Sequence, residues 1–249
     1  MIIQYHRPKT LTEALTLIAQ PRTYPLGGGI LLNRFSNEEY AVVDLQSLEL
    51  NAIAKNDDSL QIGATATLEE LLKAEDAPDA LKKAIQHEAA LNTRNLATVA
   101  GTLVASDGRS PFATMMMALD AKISLRNSKN EEETIQLGDF LPLRKERLKN
   151  KLIVAISIPL NTKSAYEYVA RTPKDKAIIS AGLVQWQSGR TRLVLGGWGK
   201  SPSLAVDGKG TEGIESAAKN AAHDANDEWA SAEYRQDVAV VLAKRCLES

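Results

Sequence analysis

The groups best placed to hold a ligand in this chain are backbone amides rather than acids, bases or nucleophiles. Tyr24 and Pro25 lead through Leu26 into three consecutive glycines, Gly27, Gly28 and Gly29, and the chain leaves through Ile30, Leu31 and Leu32. Residues without a Cβ free the backbone for positive φ and present successive N–H groups to an anion, for which a pyrophosphate is a natural guest. A tight turn without a ligand is the plainer alternative. The spacing is neither that of GxGxxG nor that of a P-loop, which also needs a lysine. A second small and polar stretch, Thr98, Val99, Ala100, Gly101 and Thr102, follows Arg94 and has the same character. Two backbone-rich loops that converge on one extended ligand can hold a dinucleotide without a Rossmann fingerprint.

Other chemistry finds little support. His6, His87 and His223 lie far apart, and no pair has the i, i+4 spacing of a helical metal site, so no metal is expected. Asp44, Asp120 and Asp139 border apolar segments without forming an acid–base pair, which suits turns and caps. Cys246 is the single cysteine, so this chain alone builds neither an intrachain disulfide nor a four-thiolate iron–sulfur site.

Several elements must position the two loops. Thr10 followed by Leu11, Leu15, Leu17 and Ile18 predicts a short capped helix that Pro21 ends. Residues 41–45 and 59–64 predict strands, and a small βαβ unit with a following sheet results. Thr67 and Glu70 form a capping-box pattern ahead of Leu71 and Leu72. Helices are expected over 80–90 and 112–118, and strands over 121–127 and 151–159. The remainder offers three strands, at 166–171, 178–187 and 190–196, then helices at 211–220 and 234–248, which together describe a compact α+β domain.

The chain has 249 residues, of which 44% are hydrophobic and 24% charged, with 30 basic against 31 acidic side chains. That is the profile of a globular protein with a real core, and a net charge of −1 gives no general pull toward nucleic acid. No apolar run approaches the roughly 18–20 residues that cross a bilayer. The first ten residues lack the apolar core of a secretory signal, so a cytoplasmic location is expected.

Beyond these readings, YHRPKTLTEAL, PLGGGILL, TRNLATVAGTL and MALDAKI resemble the FAD-binding subunit of the xanthine dehydrogenase and carbon monoxide dehydrogenase group of molybdenum hydroxylases. LVLGGWGKSP and AEYRQDVAVVLAKRCL resemble the family's small C-terminal domain. The resemblance implies an α+β fold. A two-lobed PCMH-type FAD-binding domain would occupy residues 1–160, with lobes at about 1–55 and 56–160, and a small α+β domain with a three-stranded sheet would follow at 165–249. It implies noncovalent FAD between the lobes, touched by Leu26, Gly27, Gly28, Gly29, Ile30 and Leu31 on one side. Thr98, Val99, Ala100, Gly101, Thr102 and Asp107 would touch it on the other. It further implies a hetero-oligomer with an iron–sulfur subunit and a molybdenum-cofactor subunit, within which this chain passes electrons from the clusters through FAD to an acceptor.

The departures from the family's pattern fall at the same loops. Ile30 and Leu31 stand where hydrogen-bonding side chains are usual, Ala100 replaces a glycine, and Pro111 stands where an acidic residue is usual, with Asp107 as a substitute. Arg94 can screen phosphate charge, and Trp198, between Gly197 and Gly199, is a candidate flavin contact. These departures also leave open a non-enzymatic binding or assembly subunit that keeps the fold with a lost or weakened FAD site.

Overall fold

The computed structural model describes residues 1–32, 37–173 and 175–249. Three sheets organise the described residues. In the first lobe, β1 (Ile2–His6), α1 (Leu11–Ile18), β2 (Thr23–Leu26) and β3 (Tyr40–Asp44) form a parallel three-stranded sheet in the order β1-β3-β2. The Thr10 hydroxyl caps α1 by accepting from the Glu13 amide at 3.2 Å. Ala14 and Leu15 pack on Val43 of the central strand, on Leu45 just beyond it and on Leu152 of the next lobe.

The second lobe runs through β4 (Ile53–Asn56), β5 (Ser59–Gly63), α2 (Leu68–Lys73), α3 (Asp79–Glu88), α4 (Leu91–Arg94), α5 (Val99–Ala105) and α6 (Pro111–Ala118). It closes with β6 (Lys122–Asn127), β7 (Glu132–Gln136), α7 (Leu137–Phe140), α8 (Arg144–Arg147) and β8 (Lys151–Pro159). Its five strands are antiparallel throughout, in the order β4-β5-β8-β6-β7. Alternate residues Leu60, Ile62, Ile123, Leu125, Ile156 and Ile158 face a core shared with Leu81, Ile85, Val99, Leu103 and Phe112. The capping box expected at Thr67 and Glu70 is present in both directions. Every residue of α6 is buried, because the helix packs on β10 and β11 of the third sheet and is covered by α3 and α5.

The third sheet contains β9 (Thr162–Val169), β10 (Ile179–Trp186), β11 (Arg190–Gly196) and β12 (Ser203–Lys209), followed by α9 (Ile214–Ala221) and α10 (Ala232–Glu248). It is antiparallel in the order β12-β11-β10-β9, so four strands replace the three expected. The fourth, β12, is an edge strand with four of its seven residues exposed, and it lacks the apolar alternation that marks an inner strand. Leu183, Leu193 and Leu195 face Leu242, Ala243 and Ile214 of the two helices. Tyr166, Val184 and Val194 point the other way, into the second lobe's core. Gly182 lets the sheet approach α6, since a Cβ there would lie 3.1 Å from that of Ala118 and 3.4 Å from the Met115 sulfur. Asp120, left-handed just past α6, binds Arg192 at 2.6 Å and Arg190 at 2.8 Å, and Asp207 of β12 completes a four-residue ion network across the seam.

Candidate functional site

The first glycine segment follows directly from the parallel sheet. β2 ends opposite Asp44, and the turn that leaves the C-terminal edge of the sheet passes through Gly27 and Gly28 to Gly29 at φ 72°. A Cβ on Gly28 would lie 1.6 Å from the Leu96 carbonyl oxygen, and one on Gly27 would lie 2.9 Å from Thr98 Oγ1. The structure therefore brings the two candidate segments together, and the missing Cβ atoms serve that contact as well as any ligand. No amide from Gly27 to Leu31 donates to another described residue, so a row of N–H groups remains for an outside acceptor. Beside them the Ile30 and Leu31 side chains are 39% and 44% exposed, and Leu96 is 58% exposed.

The second segment is not a loop. Thr98 is the N-cap of α5, and its hydroxyl accepts from the Gly101 amide at 3.2 Å. The Val99 amide donates to Ala66 O at 2.8 Å, the Ala100 amide to Ala64 O at 3.1 Å and the Thr102 amide to Thr98 O at 2.8 Å. These donors are committed inside the protein, because the strap from β5 to α2 lies across the helix terminus. Val99 is also fully buried. What α5 presents outward is Gly101, Thr102 and Ala105, a narrow stripe without bulk.

The remaining candidates separate into structural and open groups. Arg94 is held by Glu69 at 2.9 Å and donates to Ala89 O at 2.8 Å, so it braces α4 against α2 rather than waiting for phosphate. That pairing holds the Glu69 carboxyl below its ordinary range. Asp107 accepts from the Arg109 amide at 2.9 Å through Oδ1, and its Oδ2 lies 3.7 Å from Lys176 Nζ. Pro111 is the first residue of α6 and is buried. Trp198 packs within the C-terminal core, and its carbonyl lies against Gly108, which leaves no room for a Cβ there. Cys246 is buried and its thiol is pushed up to about 12, which makes it unreactive.

At the far end of α5, residues unseen as a group in the sequence gather where the second lobe meets the third sheet. His87 stacks on Tyr168 at 3.7 Å, and its Nε2 lies 3.0 Å from Asp175 O and its Nδ1 3.0 Å from Tyr166 Oη. Burial lowers the His87 pKa, so the ring is neutral, and because a carbonyl only accepts, Nε2 carries the proton and Tyr166 donates to Nδ1. Arg109 lies 4.0 Å over the Trp229 ring, with Arg171 5.3 Å from it. Glu88 accepts from Ser110 Oγ at 2.7 Å and from the Phe112 amide at 3.0 Å, and burial raises its pKa. Among the described residues, no group of three or more His, Cys, Asp and Glu residues is arranged to hold a metal, and no helix is long and apolar enough to cross a membrane.

This arrangement has known counterparts. A family model described as the FAD binding domain in molybdopterin dehydrogenase matches residues 1–161. The chain is 27% identical to the Escherichia coli K12 protein YgfM, over 97% of this chain and 94% of that one. It is 26% identical to the glyceraldehyde dehydrogenase medium chain of Sulfolobus acidocaldarius, over 98% and 96%. Carbon monoxide dehydrogenase from Hydrogenophaga pseudoflava contains a chain that superimposes with a TM-score of 0.81 at 23% identity, covering 100% of this chain and 96% of that one.

Proposed function

Because the chain belongs to the family of FAD-binding domains in molybdopterin dehydrogenases, we propose that it is the FAD-carrying medium subunit of a molybdenum hydroxylase-like dehydrogenase. In that role it receives electrons from iron–sulfur clusters of one partner, supplied by substrate oxidation at a molybdenum-cofactor partner, and delivers them to an acceptor. The observation that carries this reading is the row of unpartnered amides from Gly27 to Leu31, pressed against Thr98. Exposed, preorganised N–H donors at the C-terminal edge of a parallel sheet suit a diphosphate and serve no internal need. The alternative of an assembly subunit without cofactor leaves those donors unexplained.

FAD supplies the exchange between single-electron and paired-electron transfer when bound; the protein's part is to hold and orient it. The amides of Gly27, Gly28, Gly29, Ile30 and Leu31 would bind the pyrophosphate, while Leu26, Ile30 and Leu31 supply apolar cover. Thr98 and Thr102 offer hydroxyl oxygens, and Gly101 keeps the helix surface low. Val99, Ala100 and Asp107 act from behind, through the internal bonds that fix α5 and the loop after it. Backbone donors thus replace the side-chain hydrogen bonds that Ile30 and Leu31 lack. A covalent flavin link has no candidate in these segments, and Cys246 is buried away from solvent. Residues 1–160 and 165–249 are proposed as the two domains, with lobes about 1–55 and 56–160 in the first.

The direct test is flavin stoichiometry. The purified protein is incubated with FAD, desalted and denatured, and the released flavin is quantified by absorbance. Near one FAD per chain, all of it released on denaturation, is expected; no uptake with excess FAD would defeat the proposal.

A further inference from the structure

Glu88, which caps α6 through Ser110 and the Phe112 amide, has a further feature of placement. As the last residue of α3 it places a carboxyl group at the helix end where negative charge is unfavourable, and that carboxyl reaches across to the N-terminus of α6. Both bonds there, from Ser110 and the Phe112 amide, go to Oε2. Oε1 accepts from no described residue and is not among the atoms sealed from solvent. A half-buried carboxylate that spends one oxygen on a cap and leaves the other open has an acceptor to spare.

The surroundings define what that acceptor meets. The outward stripe of Gly101, Thr102 and Ala105 runs the length of α5, from the glycine segment to the loop that ends at Ser110. Seven residues of helix span about 10 Å. An extended dinucleotide anchored by its phosphates at Gly27 to Leu31 would run along this stripe toward the seam. There it reaches flat ring surfaces, the His87–Tyr168 stack and Trp229 under Arg109. Asp107, the other acid nearby, has Oδ1 on the Arg109 amide and Oδ2 3.7 Å from Lys176 Nζ.

We propose that Glu88 Oε1 accepts a hydrogen bond from the flavin half of the dinucleotide, from a hydroxyl of the ribityl chain or an N–H of the ring. This rests on the FAD reading above. The carboxyl enters from α3 and meets the same helix terminus that Pro111 begins, beside the loop that leaves α5. Burial raises the Glu88 pKa, as expected for a group that gains most from a donor when the site is filled and dry.

The test is competition binding to the full chain with FAD, FMN and ADP, in wild type, Glu88→Gln and Ser110→Ala. In Glu88→Gln the amide oxygen keeps the α6 cap and turns the NH2 group, which cannot accept, toward the ligand. FAD and FMN binding then weaken about tenfold while ADP stays within about twofold. Ser110→Ala should lower Tm and leave the ratio of FAD to ADP affinity unchanged. Equal loss for ADP and FMN, or no loss for either, overturns the Glu88 assignment. Wild-type protein that takes up no FAD overturns the reading on which it rests.

Discussion

Gly28→Ala is the most informative perturbation of the proposed cofactor site, because the structure fixes its consequence without reference to any ligand. The added methyl would sit 1.6 Å from the Leu96 carbonyl oxygen, whereas real contacts of this kind do not fall below 3.0 Å. Neither side can yield cheaply. Leu96 is tied down through its neighbours, since Ala97 O accepts from the Leu68 amide and the Ala97 amide donates to Thr93 O. The glycine turn must therefore lift away from Thr98. Overpacking of this kind costs about 1–3 kcal/mol of stability, and at roughly 2–4 °C per kcal/mol for a chain of this size it should lower Tm by several degrees. Lifting the turn also misdirects the amides from Gly27 to Leu31. Losing one charge-assisted bond to phosphate costs about 1.5–3 kcal/mol, so Kd for FAD should rise roughly tenfold to a hundredfold. Flavin fluorescence titration and thermal melting measure the two effects on one preparation. Gly210→Ala is the control: its φ is 77° with no atom within 4 Å of a Cβ, so it strains the backbone far from the turn and should cost stability without affinity. A folded Gly28→Ala protein that binds FAD within twofold of wild type would refute the reasoning.

Further outcomes follow from the same geometry. Ile30→Asp places a carboxylate beside the open amides on an already exposed side chain, so Tm should hold while FAD affinity falls at least tenfold and recovers partly in high salt, as titration at two ionic strengths would show. Asp120→Ala leaves Arg192, with a side chain only 5% exposed, relying on Asp207 alone, and denaturant unfolding should show a loss of about 3–5 kcal/mol. The Arg190 hydrogen bonds hold the Asp207 carboxyl below its ordinary range, so this contribution is present above about pH 4 and is lost as pH falls through the depressed value; Asp207→Asn should flatten that acid limb of the Tm profile. Glu88 works in the opposite sense. Its raised pKa stabilises the fold below the unfolded value and that contribution is lost as pH rises through the folded one, so Glu88→Gln should remove a fall in Tm above about pH 4.5.

The strands legible in the sequence are those that bury apolar side chains, including the edge strand β9, whose Tyr166 enters the second lobe's core. Residues 59–64, 151–159 and 190–196 carry apolar alternation or continuous apolar runs because they are inner strands, packed on one or both faces. The strands β1, β4, β7 and β12 carry no such pattern, and each is an edge of its sheet. Edge strands face water, and sequences such as EETIQ and SLAVDGK carry the charges that discourage further pairing. The caps at Thr10 and Thr67 were legible, since each hydroxyl finds its partner within one helical turn, whereas the Thr98 cap was hidden by the small residues Ala100 and Gly101 that follow it.

The sequence by itself determined the backbone chemistry of the candidate site, because three adjacent glycines permit a turn whatever surrounds them, and it carried enough of the family's order to place the fold. Tertiary structure decided which donors stay open. Carbonyls of Ala64 and Ala66, some 30 residues earlier in the chain, fill the amides of Val99 and Ala100, while nothing in the described residues reaches those of Gly27 to Leu31. It also decided that Gly28 meets Leu96, that Arg94 is spent on Glu69, and that Glu88 reaches Ser110 from another helix. The reason is physical: a hydrogen-bonding group's availability depends on what the folded chain brings within about 3 Å of it, and contacts made at long sequence separation leave no periodic or spacing signal.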